Sequence, residues 1–138
     1  MARLPILSAW LGAAGLIVAG VATAPAAAAT PGELLSGYRI AAGNAVAAPD
    51  RGQQLFSATH GREWSCASCH GGAPTQAGRH AGTGKPIGAL APAFNPERFT
   101  DPAKVEKWFR RNCNDVMGRE CTPSEKADVL AWLMTLKP

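Results

Sequence analysis

Cys66-Ala67-Ser68-Cys69-His70 reads C-x-x-C-H, the spacing of a covalent attachment site for a c-type haem. Two thiols three positions apart can each add S–H across one vinyl group of a single porphyrin. The residue that follows then sets an imidazole beneath the iron as the proximal ligand. A bare C-x-x-C would also suit a redox dithiol or half of a zinc site. No second C-x-x-C completes a four-cysteine zinc site here, and no βαβ pattern points to a thioredoxin-like fold. The expected cofactor is one covalent haem c, held by Cys66 and Cys69 and ligated by His70. A chance C-x-x-C-H in a loop is the competing reading.

Attachment of this kind goes with export, and residues 1–29 read as a Sec-type signal peptide. Arg3 gives a positive start, an apolar run extends from Leu4 to Val21, and Ala24-Pro25-Ala26-Ala27-Ala28-Ala29 contains several A-x-A sites. The expected compartment is the periplasm. An uncleaved anchor is the alternative, and the alanine-rich cleavage region argues against it.

Cleavage there leaves about 109 residues, the size of one domain. It divides into a leading helix and linker over 30–48 and a cytochrome c-like haem domain over 49–138. A chain this short buries a modest core, and a haem would add a large apolar centre. Without Arg3 there are 13 Lys/Arg against 10 Asp/Glu, which the haem propionates would bring close to neutral. No nucleic-acid partner is expected from that balance. Cys113 and Cys121 remain, and in an oxidising compartment they read as a disulfide rather than two free thiols. The closed loop of about nine residues would contribute about 2–3 kcal/mol through chain entropy.

The elements that must position the motif are helical. Thr30-Pro31-Gly32-Glu33 starts a first helix that reaches Ile40 and ends at Gly43-Asn44. Pro49-Asp50 starts a second, through Phe56 to about Thr59, ended by His60-Gly61. Gly52 and Phe56 share a face of it, where the glycine lets another helix approach. Trp64 is expected near the porphyrin edge. From Gly71 to Thr100, six glycines and four prolines predict irregular loop wrapped around the haem. Ile87, Leu90, Ala91 and Phe94 are its candidate pocket lining, and Lys85 or Arg98 could meet a propionate.

Asp101 and Pro102 open a third helix whose apolar residues are Val105, Trp108 and Phe109, with Asn112 on the same stripe. Thr122-Pro123-Ser124-Glu125 is a capping box for the last, with Val129, Trp132, Leu133 and Leu136 inward. Packing of Gly52/Phe56 on Trp132/Leu133 suits the crossing of terminal helices in small c-type cytochromes. The fold class is all-α.

Function turns on the position opposite His70. A permanent Met or His there suits outer-sphere electron transfer, whereas a weak ligand leaves room for oxygen, nitric oxide or another small molecule. Met117 precedes the last helix and is a candidate, though it could simply pack. Met134 lies beside core residues, His80 sits in the loop, and His60 lies close to the attachment site. Asn112 is a polar residue on a buried stripe, where an unsatisfied amide costs about 1–3 kcal/mol. Pattern alone favours a buried hydrogen bond for it.

Several stretches resemble the Sphaeroides haem protein (SHP) family. They are Arg98-Phe99-Thr100-Asp101, Val105-Glu106-Lys107-Trp108-Phe109-Arg110-Arg111-Asn112-Cys113 and Gly118-Arg119-Glu120-Cys121-Thr122-Pro123. Thr83-Gly84-Lys85 and Leu90-Ala91-Pro92 also fit. The resemblance implies a class I cytochrome c fold with a weakly ligated haem. It implies that Asn112 ligates the ferric iron and swings away on reduction, beside a Cys113–Cys121 disulfide. It further implies binding of oxygen, carbon monoxide and nitric oxide, with a dihaem cytochrome c or a membrane cytochrome b as redox partner. The expected function is a periplasmic monohaem cytochrome that accepts electrons and binds or reduces a small ligand. Terminal oxidoreductase activity would extend that reading. The alternative is a simple electron carrier with His70 and Met117 on the iron.

Overall fold

The computed structural model describes residues 28–138. The signal-peptide reading, except for its last two positions, lies outside them. Five helices and one short hairpin make up the described chain.

Helix α1 (Pro31–Ala41) begins at a capping box: Thr30 Oγ1 accepts the Glu33 N–H, and the Glu33 carboxylate accepts the Thr30 N–H at 2.7 Å. Helix α2 (Pro49–Ser57) also has proline in its first turn and ends two residues before the expected Thr59. The one-turn α3 (Cys66–His70) carries the attachment motif. Helix α4 (Pro102–Met117) is capped by Asp101, whose side chain accepts the Lys104 N–H at 3.0 Å. Gly118 ends it in the left-handed region that glycine adopts without strain. Helix α5 (Pro123–Thr135) starts at the Thr122/Glu125 capping box.

α2 and α1 both pack along α5. At Gly52 the two backbones come so close that a side chain would run into the Asp128 carbonyl. One turn on, Phe56 meets the Trp132 ring at 4.9 Å. The core comprises Tyr38, Phe56, Phe99, Ala127, Val129, Leu130, Trp132 and Leu133. Burial of a large apolar side chain such as Phe56 or Leu133 contributes about 1.5–3 kcal/mol. Asp128 sits buried beside this core because its charge is matched. It accepts the Ala48 N–H at 2.6 Å and two bonds from the Arg51 guanidinium, at 2.8 and 3.0 Å.

Two expectations need correction. The segment from Gly71 to Thr100 is not wholly irregular: strands β1 (Gly78–Arg79) and β2 (Pro86–Ile87) pair antiparallel. Two-residue strands are too short to show alternation, and Pro86 is tolerated because a two-stranded ribbon has only edges. Trp108 is not inward, being 42% exposed. The inner face of α4 centres on Val105, Phe109 and Val116, so Trp108 falls at its margin. The Arg111 guanidinium covers its ring at 5.5 Å.

α4 stands off from the other helices, whose axes lie closer together. Its side chains join it to them through Phe109 against Tyr38, Glu106 to Lys126, and a Cys113–Cys121 disulfide with S–S 2.01 Å.

Candidate haem site

α3 exists as a helix because Ser65 and Ser68 cap it reciprocally. Ser65 Oγ accepts the Ser68 N–H at 3.2 Å, and Ser68 Oγ accepts the Ser65 N–H at 3.0 Å. The turn places Cys66, Cys69 and His70 at i, i+3 and i+4, on one side. β1 lies against it: a side chain at Gly78 would strike the Cys69 carbonyl. The Ala81 N–H points at Cys69 Sγ from 3.3 Å. The motif alone does not announce these supports, although Ser65-x-x-Ser68 is a visible signal for the cap.

Both cysteines of the motif are free and half-buried. Before haem is attached, burial pushes the Cys66 thiol up to about 11, so it keeps its proton at neutral pH. Burial, and then the nearby Arg98 charge, lower His70 to about 4. The imidazole is therefore neutral at pH 7, with a lone pair to offer. It leans on the Phe56 ring at 6.1 Å and enters no hydrogen bond among the described residues. Two free thiols and a neutral, unpartnered imidazole on one helical turn fit covalent haem with an axial histidine.

Arg98 is committed to the loop. Its Nε donates to the Ala89 carbonyl and its Nη2 to the Gly88 carbonyl, each at 2.9 Å. Asn95 Nδ2 reaches the same Ala89 oxygen at 3.2 Å. On the other side, the N–H groups of Leu90 and Ala91 both donate to the Pro74 carbonyl at 3.0 Å. The segment near His70 is thereby pinned from two directions. Lys85, the other residue considered for a propionate, is exposed.

The sixth-ligand candidates lie in different surroundings. His60 Nε2 bonds to the Leu55 carbonyl at 2.8 Å, and His80 Nδ1 accepts the Thr83 N–H at 3.2 Å. Met134 packs against the core. Met117 Sδ lies 3.5 Å from Cys121 Sγ, against the disulfide. Asn112 is half-buried beside the inner face of α4 and makes no side-chain hydrogen bond among the described residues. The nearby amide of Asn114, by contrast, donates to the Arg110 carbonyl at 2.7 Å. A cleft of about 460 Å³ between α2 and the start of α5, lined by Arg51, Leu55, His60 and Glu125, includes none of the motif residues.

A domain family described only as of unknown function, DUF1924, matches residues 42–133. The cytochrome c-type protein SHP of Cereibacter sphaeroides is 52% identical over 124 residues, which cover 86% of this chain and 95% of that protein. The chain belongs to the SHP family. Its fold matches the structure of oxidised SHP, described as an oxygen-binding cytochrome c, with a TM-score of 0.72 over 78% of this chain and 97% of that one. The solution structure of Methylophilus methylotrophus cytochrome c'', presented as insight into haem-ligand detachment, is 38% identical. It matches with a TM-score of 0.67 over 78% of this chain and 94% of that one. Membership makes this chain a c-type haem protein, with Cys66-x-x-Cys69-His70 as its haem-binding motif.

Proposed function

We propose that this chain is a periplasmic, gas-binding monohaem cytochrome in which Asn112 is a releasable sixth ligand. On this reading residues 1–29 are the export signal, Cys66 and Cys69 hold the haem, and His70 is the proximal ligand. The bound haem supplies an electron-accepting iron and a sixth position at which a diatomic ligand can sit.

The supporting observation is the carboxamide of Asn112, which makes no side-chain hydrogen bond among the described residues, on a helix joined to α1 and α5 through side chains. The amide is not sealed from water, so its oxygen is free to meet another atom without breaking an existing bond. Its neutral oxygen is a weak donor that holds best to the more positive ferric centre. One added electron weakens that hold and lets the side chain leave. Met117, the rival donor, has its sulfur against Cys121 Sγ at 3.5 Å. The relatives fit this reading in kind, since one is described as oxygen-binding and the other is studied for ligand detachment. Electrons would come from a dihaem cytochrome c or a membrane cytochrome b.

Asn112→Ala tests it. The ferric spectrum should shift towards an open sixth position, and carbon monoxide should bind reduced wild type and variant alike at once. An unchanged ferric spectrum, or a methionine-to-iron band at its red edge, would overturn the assignment.

A further inference from the structure

Among the links that fasten α4, one is unusual. Lys126 of α5 has only 12% of its side chain exposed, and its Nζ donates to Glu106 Oε2 at 2.7 Å. The same ammonium lies 5.7 Å from the Tyr38 ring centre and 5.9 Å from that of Phe109. Those rings meet edge to face at 5.8 Å. An ammonium drawn out of water beside two aromatic rings depends on its carboxylate partner, because removing that partner leaves the charge unpaired away from water. Partial burial opposes ionisation of Glu106, yet its bond to Lys126 keeps the carboxyl below its usual range. One charged group thus joins α1, α5 and the N-terminal half of α4. Asn112 lies between this link and the disulfide, six residues past Glu106 and next to Cys113.

We infer that Lys126–Glu106 is a latch that sets the stance of α4 and, through it, the hold of Asn112 on the sixth position. Lys126 and Glu106 are positioning residues, and the inference rests on Asn112 being that ligand. Opening the latch leaves the disulfide as the nearest tie, and α4 can then turn about that point, which rotates the adjoining Asn112 side chain. Asn112 then sits less squarely, and an external ligand competes better.

Azide titration of the ferric holoprotein, followed optically, tests this in Lys126→Met, Glu106→Gln and the double variant, each also combined with Asn112→Ala. Either latch variant should tighten azide about two- to fivefold, the range open to such an ion pair. The double variant should gain no more than either single one, and no latch variant should change azide affinity once Asn112 is alanine. If Asn112→Ala alters azide affinity while both latch variants match wild type, the latch is wrong and the ligand assignment stands. If Asn112→Ala itself changes nothing, the ligand assignment falls and takes the latch with it. Equal latch effects with and without Asn112 would mark general loosening and would also overturn the inference. Glu106 is 49% exposed, so Glu106→Gln decides the matter if Lys126→Met fails to fold.

Discussion

Gly52 of α2 lies directly on the Asp128 carbonyl of α5, with no room for a side chain between them. The obstacle is backbone on both sides, so no rotamer change can relieve it. Gly52→Ala should therefore destabilise the holoprotein by about 1–3 kcal/mol, the usual cost of overpacking. Thermal or urea unfolding measures it. A variant as stable as wild type would mean that the two helices can separate freely.

Tyr38 offers the opposite case. Its hydroxyl is buried, and the Glu106 carboxylate lies beside it without reaching good hydrogen-bond geometry. Burial, and then the neighbouring Glu106 carboxylate, raise its pKa above the ordinary phenol range, so it stays protonated. Leaving a buried hydroxyl unbonded costs about 1–3 kcal/mol, so Tyr38→Phe should be neutral or stabilising. The edge-on contact with Phe109 at 5.8 Å needs only the ring. A clear fall in melting temperature would show that the hydroxyl is bonded in solution.

Acid should weaken the start of α5. Bonds from Arg119 at 2.6 and 2.8 Å, with the Thr122 N–H at 2.8 Å, hold Glu125 down to about 2 against an ordinary 4.5. The unfolded chain takes up this proton first as pH falls, so the contribution is complete above about 4.5 and disappears towards 2. Arg119 is 51% exposed, which limits the gain to about 1 kcal/mol or less. Glu125→Gln should lower stability at pH 7 and flatten its dependence between those two values. An unchanged acid slope would remove Glu125 from the account.

Much of this was legible because the signals are local. Thr30, Asp101 and Thr122 are caps readable three residues at a time, and Gly52 beside Phe56 announced a close crossing. The C-x-x-C-H motif carries its cofactor in its spacing. What escaped the sequence depends on chain segments far apart. Asp128 reads as a misplaced charge in an apolar helix until Ala48 and Arg51, about eighty positions away, supply its partners. Lys126 looks like an ordinary exposed residue until α1 and α4 close over it. Trp108 fits an apolar stripe by spacing, yet α4 meets its neighbours along one side only, and that edge remains outside. Asn112 is singled out only by the resemblance, since periodicity alone favours a buried hydrogen bond, and its side chain makes none among the described residues.

Met117 gives the sharpest test between the two readings of the iron. Its sulfur lies 3.5 Å from Cys121 Sγ, beside the bridge that joins the end of α4 to the start of α5. A thioether in that position acts as a soft filler, which leucine can replace at a cost below about 1.5 kcal/mol. Met117→Leu should therefore keep the wild-type ferric and ferrous spectra and bind carbon monoxide unchanged, with a small drop in melting temperature. A methionine ligand predicts the reverse: loss of the low-spin ferric spectrum and a marked fall in reduction potential, because thioether ligation favours the reduced iron. Spectra of Met117→Leu and Asn112→Ala, recorded side by side, therefore identify which helix residue reaches the sixth position.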